Sequence, residues 1–106
     1  MFALIYFMNA SSSFLNSNEC ARVLKAMGDA TRLQILQSLV CREKTVNELV
    51  EDLDMDQPKV SHHLGILRQA GLVEDRRDGR WVRYCLHPAV HQELTKNESL
   101  IDLGCC

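Results

Sequence analysis

The chain has 106 residues, 46% of them hydrophobic and 25% charged, with a formal net charge of −2. That is enough sequence for one ordered domain, with a core small enough that self-association is an obvious remedy. The charge balance excludes a nonspecific polycation, and the odd count of five cysteines disfavours a fully paired disulfide framework.

In chain order, the apolar run from Met1 to Met8 is too short to span a bilayer and lacks the basic start of an export signal. It reads as a dimer-packing segment, a loose tail, or an artefact of the start codon with Met8 as the true initiator. The default compartment is then cytoplasmic, where thiols stay reduced. Residues 1–18 are expected to form a tail, 19–94 a domain, and 95–106 a second tail that carries Cys105 and Cys106.

A first helix is expected over 19–27, with Ala21, Val23, Leu24 and Met27 apolar and Gly28 ending it. Asp29 caps a second over 30–40, whose buried stripe is read as Leu33, Leu36, Leu39 and Val40. Residues 41–44 are a connector. Thr45 and Glu48 then form a capping box for a third helix whose Val46, Leu49, Val50 and Leu53 repeat at helical spacing. Asp54, Met55 and Asp56 make a turn so short that the third and fourth helices form a helix-turn-helix.

The fourth helix begins at Asp56, as N-cap, with Pro58 in its first turn, and stops at Gly71. At about 100° per residue, Val60, Leu64 and Leu67 share a buried stripe, while His62, Gly65 and Gln69 point away and Lys59 and Ser61 lie on the flanks. His63 falls beside the stripe, which fits a structural role rather than base reading. Gln57, Lys59, Ser61 and His62 are the donors and acceptors that suit base edges and phosphates in a major groove. A plain solvated face has the same pattern, and the hairpin next in the chain decides between the two.

After Gly71 the period changes to two. Residues 72–76 run into Arg77-Asp78-Gly79-Arg80 and then 81–86, with Asp78-Gly79 a strong hairpin signal, and Arg76, Arg77, Arg80 and Arg83 crowd the tip. Between Lys59 and Arg83 the local charge is +3, against −5 for the rest of the chain. Charged hairpins also serve as solubilising edges, but next to a reading helix this one reads as a phosphate-contacting wing. A last helix starts at Pro88 and is expected to end near Leu94.

These segments together, from Lys25-Ala26-Met27-Gly28-Asp29-Ala30-Thr31-Arg32 through Ser61-His62-His63-Leu64 to Asp78-Gly79-Arg80-Trp81, resemble the ArsR/SmtB family of metal-responsive repressors. The resemblance implies a mainly α fold with a small β-hairpin, a winged helix-turn-helix that dimerises through its first and last helices. It implies a palindromic operator as partner, with Gln57, Ser61 and His62 toward the groove, Lys59 and Arg68 toward phosphates, and Arg76, Arg77 and Arg80 on the wing. No enzyme is expected, because no phosphate loop, Cys-x-x-Cys or nucleophile–base set appears.

The sensor departs from the family patterns. The third helix holds no cysteine, and His87, His91 and Glu93 do not reproduce the zinc-type arrangement of the last helix. What remains is Cys105-Cys106, two adjacent soft ligands, completed by Cys20 or, as runner-up, Cys41, in a trigonal thiolate site suited to arsenite or antimonite. Cys85 lies in a strand as a small apolar residue. The same thiols fit a redox-sensing repressor in which Cys105 or Cys106 pairs with Cys41 or Cys20. A thiol metal chaperone without a DNA role is the reading from a different class.

Overall fold

The computed structural model describes residues 17–96; the expectations placed on 1–16 and on Cys105 and Cys106 lie outside the described residues. Helix α1 spans Ser17–Met27, α2 Ala30–Cys41, strand β1 Lys44–Thr45, α3 Val46–Leu53, α4 Gln57–Gln69, β2 Val73–Asp78, β3 Trp81–Leu86 and α5 Pro88–Lys96. Helices α1 and α5 each run two residues beyond the expected bounds. Polar residues such as Ser17 and Lys96 end an apolar stripe without ending a helix.

Side-chain caps set the starts of α2 and α3. The Asp29 carboxylate accepts the Arg32 amide at 3.1 Å, and Thr45 and Glu48 complete a reciprocal capping box. Asp54 closes α3 in the left-handed region, at φ 51°. Asp56 occupies the N-cap position of α4 with extended backbone, but its side chain makes no capping bond, so the start of α4 rests on Pro58 and the turn geometry. Gly71, at φ +80°, is the expected left-handed stop.

The hairpin is part of a three-stranded antiparallel sheet ordered β1-β3-β2. Strand β1 comprises the last residue of the expected connector and the capping Thr45, and two residues show no alternation that would predict it: Lys44 pairs with Tyr84 and Thr45 with Arg83. Asp78 pairs with Trp81, so the turn is Gly79-Arg80 rather than Asp78-Gly79, and Gly79 leads it at φ +63°.

The core gathers Val23, Ala26 and Met27 of α1, four residues of α2, and Leu49, Val60, Leu64, Leu67, Leu72, Val73, Leu86 and Val90. Two expectations need correction. Leu24 is 44% exposed and Leu33 41% exposed, whereas Ile35 is fully buried. On α1 the arc set by Val23, Ala26 and Met27 leaves Leu24 about 100° off its centre. On α2 the buried Ile35 turns the arc away from Leu33, because other helices cover that side.

Lys44 is the buried charged residue of this core. Its ammonium donates to the Asp52 carboxylate and, at 2.9 Å, to Ser38 Oγ, which itself donates to Asp52 at 3.1 Å. The network ties β1 to α2 and α3. The Lys44 ammonium, and then the Ser38 hydroxyl, hold the Asp52 carboxyl below its usual range. A carboxylate with a lowered folded-state pKa stabilises above its unfolded pKa, and that contribution is lost as pH falls through the folded value.

Asp52→Asn is therefore expected to lower stability at neutral pH by about 1–2 kcal/mol, below the cost of breaking a fully buried pair because the carboxylate is half-exposed. Urea unfolding at a series of pH values should show the two proteins converge in acid. A constant difference down to pH values below the carboxylate range would refute the ionic origin.

Candidate nucleic-acid interface and cysteine positions

Helix α4 is divided as its periodicity requires. Val60, Leu64 and Leu67 are at most 1% exposed, while Gln57, Lys59, Ser61 and His62 stand in solvent. His63 is half-buried at the edge of the core, edge-on to the His62 ring at 5.3 Å. Burial pushes the His63 pKa down, with the Asp29 carboxylate opposing it, so the ring is neutral at neutral pH. Its Nδ1 has no hydrogen-bond partner among the described residues, so the expected structural hydrogen bond is not made at that atom.

Two of the cations expected at this surface are held by carboxylates of the same chain. Arg68 pairs with Asp75 at 3.6 Å, linking α4 to β2, and Arg76 pairs with Glu43. Arg83 is clamped between Glu48, at 3.7 Å, and Asp78, at 3.4 Å. Glu48 is itself held below the usual carboxylate range, first by the Thr45 amide and then by Arg42. Lys59, Arg77 and Arg80 make no ion pair among the described residues. The Arg80 guanidinium lies 5.2 Å over the Trp81 ring, which is 45% exposed at the hairpin tip. The surface thus carries hydrogen-bonding groups along one helix and uncompensated cations on the hairpin, the combination that contacts bases and phosphates.

Of the three expected metal ligands, only Cys20 is described. It is a free, half-buried thiol packed against the core, which limits its reach. Among the described residues no three His, Cys, Asp or Glu side chains are grouped to hold a metal ion. Cys85 is a free thiol whose pKa is pushed up by burial and then by Glu74 and Glu43, which makes it a poor nucleophile and fits the apolar role. Cys41, the runner-up, is disulfide-bonded. It ends α2 beside a cavity of about 380 Å³ that Ser38, Lys44 and Asp52 also line. Nearby, His91 Nε2 lies 3.0 Å from the Val40 carbonyl, joining α5 to the same end of α2.

No helix among the described residues is long and apolar enough to cross a membrane. Residues 29–75 match the family described as bacterial regulatory protein, arsR family. The chain is 47% identical over 72 residues to the arsenic resistance transcriptional regulator ArsR1 of Pseudomonas putida, a match that covers 66% of this chain and 56% of that protein. The likeness to ArsR1 therefore spans little more than half of that regulator's length. Among solved structures, HlyU from Vibrio cholerae superposes with a TM-score of 0.70 at 36% identity, over 82% of this chain and 96% of HlyU. The homodimeric winged helix-turn-helix DNA-binding domain of Mb0332 from Mycobacterium bovis does so with a TM-score of 0.69 at 29% identity, over 88% of each chain. By these matches and by its own fold, the chain belongs to the arsR family of winged helix-turn-helix regulators.

Proposed function

We propose that the protein is a sequence-specific transcriptional repressor that binds a palindromic operator as a homodimer and is released when its cysteines react. The observation that carries this reading is the exposure of Gln57, Lys59, Ser61 and His62 on a helix whose opposite face is buried, beside a hairpin whose Arg77 and Arg80 make no ion pair among the described residues. Gln57, Ser61 and His62 read base edges, and Lys59, Arg77 and Arg80 take phosphates. Arg68 and Arg76 exchange a carboxylate for a phosphate on binding. Self-association through α1 and α5 covers Leu24, and it sets two copies of α4 about one DNA turn apart. ArsR1, an arsenic resistance regulator by its name, and the homodimeric Mb0332 domain support the same assignment.

For the inducer, arsenite or antimonite bound by Cys20, Cys105 and Cys106 is the first reading. Three thiols replace three hydroxyls on As(III) and release three waters, leaving a trigonal thiolate site. A second reading is favoured by the disulfide at Cys41: hydrogen peroxide takes two electrons and two protons from Cys41 and a tail thiol, Cys105 or Cys106, and leaves as two waters. Both act by disfavouring the DNA-bound conformation.

Gel-shift titration against the protein's own promoter should show a retained fragment at low salt, with affinity falling steeply as salt rises. Failure to retain any fragment would remove the repressor reading. Arg80→Ala is expected to weaken all duplexes alike, and Gln57→Ala to relax operator preference by about 1–3 kcal/mol.

The two inducers separate in the same assay. Arsenite release should be lost in Cys20→Ser and kept in Cys41→Ser, whereas peroxide release should be lost in Cys41→Ser and kept in Cys20→Ser. Arsenite release that survives Cys20→Ser would exclude the first site, and peroxide release that survives Cys41→Ser would exclude the second.

A further inference from the structure

The arginines and lysines from Arg22 to Arg83 fall into two sets. Arg42, Lys44, Arg68, Arg76 and Arg83 pair with carboxylates. Arg22, Lys25, Arg32, Lys59, Arg77 and Arg80 make no ion pair among the described residues. The last three sit on the reading helix and the wing. The first three come together elsewhere, around a recess of about 200 Å³ closed by Ile66, Gln69 and Ala70 of α4.

Local structure explains the convergence. Arg22 and Lys25 are three apart on α1 and so share a face, and Arg32 enters from the first turn of α2. Arg32 Nε is shut off from solvent and has no hydrogen-bond partner among the described residues. Two acids lie near the cluster without forming an ion pair with it among the described residues: the Asp29 carboxylate, which caps α2 through the Arg32 amide and attracts the Arg32 charge, and Glu19, which lines an adjoining hollow with Arg22.

The recess also has a definite place relative to the reading face. Round the α4 axis, Arg68 lies on the flank that meets β2 through Asp75, and Ile66 and Ala70 lie roughly 160° away on the other flank. Gln69 lies in the same row as His62 and Gly65, so the recess opens onto the end of the exposed face. A helix seated in a major groove about 12 Å wide has a phosphate strand along each flank.

We propose that Arg22, Lys25 and Arg32 form a second phosphate-contact site, which grips the operator backbone on the side of α4 opposite the wing. This site rests on the protein being a DNA-binding repressor. The wing and the second site then bracket the reading helix, with Lys59 on the same flank as the second site. The contact carries no base preference; it fixes the depth and register of α4 in the groove.

The test uses the full chain with Arg22→Gln and Lys25→Gln combined, both exposed positions whose change leaves the core intact. Fluorescence anisotropy is measured on the promoter fragment and on an unrelated duplex across a salt series. The double variant should bind both duplexes more weakly by the same factor, with the slope of log affinity against log salt shallower by about 0.9 for each phosphate released from the protein's grip. Sedimentation should show an unchanged oligomeric state. An unaltered slope in the double variant, with a shallower one in Arg80→Ala, would overturn this site and leave the repressor reading standing. No binding by the wild type would overturn both. Reduced affinity accompanied by a changed oligomer, or confined to the promoter fragment, would overturn it as well. So would thermal stabilisation by inorganic phosphate that depends on Arg22 and Lys25 while the DNA slope stays fixed, because the recess would then belong to a free anion.

Discussion

Helix α2 is the element on which the rest of the structure depends. It packs against α1, α3, α4, α5 and β3, and Ile35, Leu36, Leu39 and Val40 are its contribution to the core. The buried residues among those described form a single cluster, so no other core shares the work. Each of those side chains is worth about 1.5–3 kcal/mol of burial, and α4 and β3 both pack against the helix that supplies them. The orientation of α4 follows from the same constraint. With Val60, Leu64 and Leu67 against the core, Gln57, Ser61 and His62 have nowhere to go but outward.

Charge is organised around the same framework. Along the sequence, the acidic residues before α4 work against DNA affinity. In the fold, Asp52 is bound to Lys44 and Glu48 to Arg42 and Arg83, while Glu43 holds Arg76. Part of the negative charge is therefore paired within the protein, while Glu51, Asp54 and Asp56 stay exposed without an ion pair among the described residues, and the cations that stay without a carboxylate define where an anion is favoured. A net charge of −2 and a DNA-facing surface are compatible because the two signs are sorted in space rather than along the chain.

What is legible in the sequence is what periodicity and capping encode. The stripe of α4, the capping box at Thr45, the Asp29 cap and the Gly71 stop are all readable because each depends on residues a few positions apart. Features that depend on distant partners are not readable in this way. Leu24 and Leu33 are apolar at helical spacing yet exposed, since the side of a helix that is buried is decided by its neighbours. Strand β1 exists only because Lys44 and Thr45 meet Tyr84 and Arg83, and two residues carry no pattern of their own. Arg68 and Arg76 are two more free cations in the sequence, and only folding places Asp75 and Glu43 beside them. The cluster of Arg22, Lys25 and Arg32 is invisible for the same reason: it spans two helices, and its third wall is the flank of α4.

The cysteines show how a signal at the edge of the fold can reach the reading helix. Cys41 terminates α2, one turn beyond Ser38, whose hydroxyl joins the Lys44–Asp52 pair and so connects α2 to α3. Helix α3 enters α4 through a turn of three residues that holds Asp54 in the left-handed region, a conformation with little slack for a non-glycine residue. At the same end of α2, His91 meets the Val40 carbonyl from α5. On the proposed redox reading, chemistry at Cys41 would act where the helix that supports α4 meets both α5 and the Lys44–Asp52 pair. Cys20, packed into the core from α1, has no such junction beside it. A change there must travel through side-chain packing alone. The end of α2 is the place where a small covalent event has the most rigid connection to the orientation of α4.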